Sequence, residues 1–441
     1  MLQAVKNALL LPDLRRKIVF TLLILIIYRA ATQVPVPGVD KEILNQFLNS
    51  GSGGATIIQF MDLLSGGTLS RFSVLAMGVY PYITASIIMQ LLTPMIPALE
   101  ELSKEGEQGR NKINQYTHWL AVPLAALQAY GQVVIIQQSI PGIIPDFGFA
   151  SNPLGTTAII VSMTAGSMFA VWLGELITEQ GIGNGVSIII FGGIVAQMPG
   201  RIWQFVQLEQ YGQLIAFSLI TFVTILGIVI VTEGQRRIPV QYGKRVRGTK
   251  VYGGQSSHIP LKVNSAGMIP LIFAQSILIF PSSIASFFAG SESAFIAGTA
   301  TFIVQWFSPR PDAWPYWITY FMMVALFTFF YTDIIFKQQN LAESLQRQGG
   351  FIPGLRPGKT TEDYLNTVMR RITLIGAVFL GVVAILPWIV GIIPGLGSSG
   401  GGTATLLITS TGLLIVVGVG LDTMKQLEAQ LLMRNYEGFI K

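Results

Sequence analysis

The side chains that usually perform chemistry are scarce in this chain and poorly placed for it. Cysteine is absent, so there is no thiolate, disulfide or sulfur-ligated metal to consider. The two histidines, His118 and His258, lie far apart, and neither sits in a His-Glu-x-x-His run, so no metal site is expected. No apolar segment holds paired aspartates, and the serines scattered along those segments have no histidine placed to activate them. The glycine-rich stretch GELITEQGIGNGVSIIIF (Gly174 to Phe191) follows no strand and lacks the Gly-Lys-Ser/Thr ending of a phosphate loop. It reads instead as a sharp turn, with Asn184 and Gly185 starting the next helix. These features exclude the common enzyme classes, and no cofactor is expected.

Basic residues are plentiful in two places. Glu233 to Lys262 contains QRRIPVQYGKRVRGTKVYGGQSSHIPLK, whose alternation around Val240, Tyr242, Val246 and Val251, broken by Gly243 and Gly248, predicts a hairpin. It would present Arg236, Arg237, Lys244, Arg245, Arg247 and Lys250 to anionic lipid, RNA or an acidic protein face. In FIPGLRPGKTTEDYL, Pro353, Gly354, Pro357 and Gly358 bracket Arg356 in a tight turn. A guanidinium held on a stiff turn suits a bidentate protein contact.

The elements that carry these loops are apolar. Charged residues make up 11% of the chain, against about 25% in an ordinary soluble domain. No charged residue falls between Thr373 and Leu421, and similar runs recur from Ser73 onward. A membrane helix needs about 20 such residues, so the pattern predicts a polytopic, all-α integral membrane protein. Ten spans are expected: Ile18–Gln33, Leu75–Ile96, Gln115–Gln138, Thr156–Thr178, Val186–Met198, Gln213–Thr232, Ala266–Ser286, Tyr316–Phe336, Ile372–Val390 and Ala404–Leu421. The fifth is short, and the last two are separated by breakers at Gly391, Pro394, Gly395 and Gly397. With both termini cytoplasmic, only Arg29, Lys41, Arg71, Arg201 and Arg310 among the basic residues fall on the outer side. Met1 to Asp13 resembles neither a signal nor a transit peptide, so the first span should serve as its own insertion signal.

The expected midplanes are neutral. Glu175, Glu179, Glu233, Asp333 and Asp422 all sit at cytoplasmic ends, and His118 lies toward the same side. A secondary transporter places its coupling site at mid-membrane, and no charged candidate stands there. Between SGSGG (Ser50 to Gly54) and Ser65-Gly66-Gly67 lies a short amphipathic segment, too brief to span. Such a half-helix enters a membrane only when buried in protein or lining an aqueous cavity, as a stopper would.

Several segments resemble the SecY family of protein-conducting channels (SecY/Sec61-alpha). They are VPVPGVDKEILNQFL, LLSGGTLSRFSVLAMGVYPYITASIIMQLLTP, KEGEQGRNKINQYT, GELITEQGIGNGVSIIIFGGIVA, EGQRRIPVQYGKRV, HIPLKVNSAGMIPLIFAQSILIFP and FIPGLRPGKTTEDYL, in order from near residue 13 to near 436. The resemblance implies ten spans in two inverted, pseudo-symmetric halves with a short plug helix. The halves would be 1–198 and 213–424, joined by an external hinge at 199–212, with cytoplasmic loops at 233–262 and 337–371 and a tail at 425–441. It places a pore ring on Val79, Ile83, Val186, Ile190, Ile272 and Ile415. The plug, about 57–70, would include Ile57, Phe60, Met61, Leu63 and Leu64. A lateral gate would lie between the second and seventh spans, with Thr84, Gln90 and Asn264 at polar positions.

The resemblance further implies SecE and SecG as membrane subunits. The ATPase SecA or the ribosome, including its RNA, would dock on the basic loops and Arg356. Signal-bearing precursors would be the cargo and lipids the surroundings, in the bacterial inner membrane. Val79 and Val186 stand where Ile is common in the family, which implies a slightly wider collar. The physics agrees with this picture. A collar of branched aliphatic groups blocks ions by making dehydration expensive, yet moulds around any side chain that passes. A gate open to lipid releases hydrophobic segments with a gain of about 25 cal/mol per Å².

Overall fold

The computed structural model of the chain describes residues 11–40, 43, 68, 72–139, 142–144, 147–149, 151–207, 211–242, 245–247, 250–252, 256–288, 294–307, 313–339, 341–392 and 409–437. The expected plug residues Ile57, Phe60, Met61, Leu63 and Leu64 lie outside these, as does Lys244. The described chain is mostly helical. It begins with α1 (Pro12–Ala31), α2 (Tyr80–Leu92), α3 (Pro97–Lys104), α4 (Glu107–Ser139), α5 (Pro153–Gln180), α6 (Gly185–Gln207) and α7 (Tyr211–Glu233). Strands β1 (Gln235–Tyr242), β2 (Arg245–Arg247), β3 (Lys250–Tyr252) and β4 (Ser256–Lys262) follow. Then come α8 (Ile269–Phe288), α9 (Ala294–Phe307), α10 (Trp314–Gln339), α11 (Leu341–Arg347), β5 (Gly350–Phe351), α12 (Lys359–Ile392) and α13 (Thr409–Glu437).

Local chemistry sets many of the boundaries. Prolines open α1, α2, α3 and α5, where a missing N–H costs nothing. At α5 the Asn152 side chain also accepts from the Gly155 N–H at 2.9 Å. Among the described residues, 4 helical segments suffice by length and composition to cross a membrane: Pro153–Gln180, Leu214–Glu233, Trp314–Arg347 and Lys359–Val390. Helices α2 and α3 meet the same criterion only together, and they are bent by 99°. Along α7, Ile215, Leu219, Phe222, Leu226 and Ile230 are exposed on one face. So large an apolar stripe is unfavourable against water and favourable against lipid.

Helix α2 lies along α4, which packs on α5; α1 and α6 pack on α5 in turn. In the second part of the chain, α8 packs on α9 and α10, α10 on α12, and α7 on α13. Contacts of α6 with α7 and α13, and of α8 with α2 and α4, join the two groups.

Two segments differ from expectation. No helix is expected between the seventh and eighth spans, Ala266–Ser286 and Tyr316–Phe336, yet Ala294–Phe307 forms α9 against α8 and α10. Its 14 residues make a helix of about 21 Å, shorter than a bilayer core, and Glu292 and Arg310 flank it, so it escaped the span criterion. The fifth apolar segment does not stop at Met198. Helix α6 continues through Pro199 to Gln207, so residues 199–207, expected as hinge, are helical.

Candidate functional site

Four helices deliver the expected ring residues to one region. Val79 is the N-cap of α2 and Ile83 lies one turn further on. Val186 and Ile190 lie one turn apart on α6, Ile272 is on α8, and Ile415 is on α13. Val79, Ile83, Val186, Ile190 and Ile415 share one apolar cluster with Leu75, Ile188, Ile189 and Ile194. Ile272 belongs to an adjoining cluster in which Ile83 also packs. Val79 and Ile415 are buried, and the other four are half-buried.

Met198 and Met268 also belong to both clusters, and motif reading missed them. The signal was present as helical spacing: Ile190, Ile194 and Met198 recur every four residues on α6, as do Met268 and Ile272 at the start of α8. Unbranched thioethers fill irregular gaps and adapt when neighbours move.

The turn between α5 and α6 fixes where Val186 points. Helix α5 ends at Gln180, and Gly183 takes φ +79, a left-handed conformation natural to glycine. Asn184 caps α6 by accepting from the Ser187 N–H at 3.1 Å, as its sequence position predicts. The helices then approach very closely, since a Cβ on Gly185 would lie 1.7 Å from the Gly174 carbonyl oxygen. Thr178 Oγ1 accepts from the Gly185 N–H at 2.9 Å, and Thr21 Oγ1 of α1 accepts from the Ile182 N–H at 3.3 Å. Glycine at 185 is therefore a packing requirement of the joint that seats Val186.

The three polar gate positions bond locally. Thr84 Oγ1 donates to the Tyr80 carbonyl at 3.0 Å, and Gln90 Nε2 donates to Ser86 Oγ at 3.3 Å, all on α2. Asn264 is buried in the turn before α8, where its Nδ2 donates to the Gly267 carbonyl at 3.2 Å. Its Oδ1 is buried without a partner among the described residues. A buried, half-satisfied amide costs about 1–3 kcal/mol, so it favours any state that supplies a donor. Helix α2 packs against α8 here.

The two charged loops join in one sheet. β1 pairs antiparallel with β4, setting Arg236 opposite Leu261 and Val240 opposite Ser257, while β2 and β3 pair separately as a short ribbon. The second loop contributes β5, which pairs with β1 through Gln241 opposite Phe351 and Tyr242 opposite Gly350. Ile238, Val240 and Leu261 are buried against Phe336, Ile352 and Leu365, so the sheet is anchored on the ends of α10 and α12. Arg236 and Arg237 remain exposed on β1. Arg245, Arg247 and Lys250 lie in β2 and β3. Arg356 is exposed on a turn in which Gly354 and Gly358 take φ +84 and +108, and its carbonyl accepts from Thr361 Oγ1 at 2.8 Å.

Acidic groups at the helix ends find partners. His118 Nε2 and Glu175 Oε1 lie 2.6 Å apart between α4 and α5, with Tyr82 of α2 against the imidazole at 5.1 Å. Lys425 and Glu233 lie 2.6 Å apart between α13 and α7. None of these pairs involves a ring residue.

Solved structures share this fold. One, "The structure of a protein conducting channel", aligns with TM-score 0.61 at 18% identity, covering 94% of this chain and 92% of that one. "Sec61 in the Canine ribosome-channel complex from the endoplasmic reticulum" aligns with TM-score 0.59 at 18% identity, with the same coverage. The fold is thus the mostly helical one that these two structures share. The SecY family model matches residues 73–424. "Protein translocase subunit SecY" of Streptomyces galbus is 42% identical over the full length of both chains. That of Thermotoga maritima is 43% identical, over 100% of this chain and 98% of its own. The chain belongs to the SecY family; it is the pore-forming subunit of a protein translocase and not an enzyme.

Proposed function

We propose that the chain conducts unfolded polypeptides through a waist made by Val79, Ile83, Val186, Ile190, Ile272 and Ile415, and releases hydrophobic segments between α2 and α8. The observation that carries this is the meeting of six uncharged, branched side chains from four helices in two adjoining apolar clusters. Such a waist has no selective binding group, so it can pass any sequence, and it excludes ions by dewetting. Ten spans in two inverted halves, with the plug at about 57–70, complete this reading. In a third structure of this fold, the plug domain of a SecY protein is described as stabilising the closed state and maintaining a membrane seal, which supports the plug assignment.

The exposed Arg236, Arg237 and Arg356, with β2 and β3, form the docking face for SecA or the ribosome. SecE and SecG are the membrane partners, in a bacterial inner membrane with both termini inside. A relative of this fold is described in a ribosome–channel complex, which supports the docking assignment. Photocrosslinkers at Ile83 or Ile272 test the reading with a stalled secretory precursor. Adducts are expected at both positions and not at Leu226, which lies on the exposed face of α7. Adducts at Leu226 alone would contradict it.

A further inference from the structure

A cleft of about 400 Å³ lies between the end of α10 that carries Lys337 and the stretch of α12 around Arg370. Buried Phe336 and Met369 form its floor, and exposed Phe330 stands at its side. Asp333, Asn366 and Arg370 supply its polar lining. Phe330 ends an exposed apolar stripe, Met322, Leu326 and Phe330, that runs along α10 at four-residue spacing. The apolar approach to the cleft is therefore along a surface suited to an acyl chain.

The charges define the rest of the occupant. Asp333 already has a cation, since Lys337 Nζ lies 2.8 Å from its Oδ2. No carboxylate pairs with Arg370 among the described residues. The cleft thus presents one unmatched guanidinium beside an amide and an apolar groove. A phosphodiester carries one negative charge and accepts two parallel N–H bonds from a guanidinium. We propose that this cleft binds the headgroup of an anionic phospholipid of the phosphatidylglycerol type. Arg370 would take the phosphate, Asn366 and Asp333 the glycerol hydroxyls, and Phe330 the upper acyl chain. Anionic lipid in the inner leaflet would supply it. The site lies apart from the waist; its floor residues Phe336 and Met369 also belong to the cluster that anchors the sheet, but lipid binding there requires neither conduction nor docking, so the two readings are tested separately.

The test places the full-length chain in phosphatidylcholine nanodiscs containing a small fraction of photoactivatable phosphatidylglycerol. Labelled peptides are expected from α10 or α12 beside the cleft. Labelling should fall roughly tenfold in Arg370→Gln, as loss of a charge-assisted bidentate contact implies. It should fall less in Arg370→Lys and not at all in Arg371→Gln. Unlabelled phosphatidylglycerol should compete, and inorganic phosphate should not. Labelling that is indifferent to Arg370→Gln, or equal with a phosphatidylcholine probe, would overturn the assignment. Full competition by inorganic phosphate would overturn the lipid and leave a free-anion site. Should Arg370→Gln fail to fold, the comparison of the two lipid probes in the unsubstituted chain decides the matter alone.

Discussion

Two of the large apolar clusters among the described residues are built from different side chains. One, around α8, α10 and α12, buries Phe273, Tyr316, Trp317, Tyr320 and Phe327, with Phe273 and Phe327 rings 5.6 Å apart and Tyr316 edge-on to Trp317 at 5.1 Å. The other, around α1, α2, α5, α6 and α13, is mainly Ile, Leu, Val and Ala, with Tyr28 as its buried aromatic. Large rings interlock in few ways, so the first cluster resists deformation. Aliphatic groups lack the fixed ring-on-ring geometry of aromatics, so a seam of them repacks around a new neighbour of similar volume at smaller cost. Ile83, Met198 and Met268 belong to both clusters. A channel that opens and reseals needs this division, with a stiff wall on one side and a yielding seam beside it.

Substitutions can break or sharpen the contrast. Trp317→Ala should cost about 3–5 kcal/mol by leaving a cavity in the stiff cluster, read as a large fall in thermal stability in detergent. An equal loss from Ile83→Ala would erase the distinction, because the seam should collapse around the smaller group. Gly185→Ala should cost about 1–3 kcal/mol, since its methyl meets backbone that cannot rotate away. The same measurement should show Gly200→Ala nearly neutral, because a Cβ there meets open space. Arg356→Glu should lower SecA- or ribosome-driven translocation about tenfold and leave thermal stability unchanged, as reversal of an exposed contact charge implies. Tyr320→Phe should be neutral or stabilise by up to about 1 kcal/mol, because its buried hydroxyl has no partner among the described residues. The smallest effect should come from Val79→Ile with Val186→Ile in a chain lacking 57–70. Its single-channel leak should drop modestly, and an unchanged leak would remove the collar-width argument.

Much of the fold, though not this contrast, was legible in the sequence, and the reasons are local. Charge-free runs predicted where helices form because lipid tolerates few alternatives. Asn184-Gly185 predicted the start of α6 because an Asx cap is a short-range event. The short β2–β3 hairpin followed from alternation and glycine punctuation, whereas the pairing of β1 with the more distant β4 did not. What stayed hidden depends on distant partners. The two residues of β5 have no pattern of their own and become a strand only because β1 offers an edge. Ala294–Phe307 was too short for the span criterion, and its helicity rests on packing against α8 and α10. The fifth span is expected to end at Met198 and give way to a hinge, yet α6 runs on through Pro199. The bridging role of Met198 and Met268 needed the tertiary arrangement, because any single apolar residue in such a helix reads as ordinary packing.

The central claim is that uncharged aliphatic side chains at the waist are what hold back small ions. Planar-bilayer conductance of the full chain with Ile83→Ser and Ile190→Ser measures this directly, because serine keeps the waist neutral while letting it wet. A raised ion leak with precursor translocation retained is the predicted result. A leak equal to that of the unsubstituted chain would contradict it.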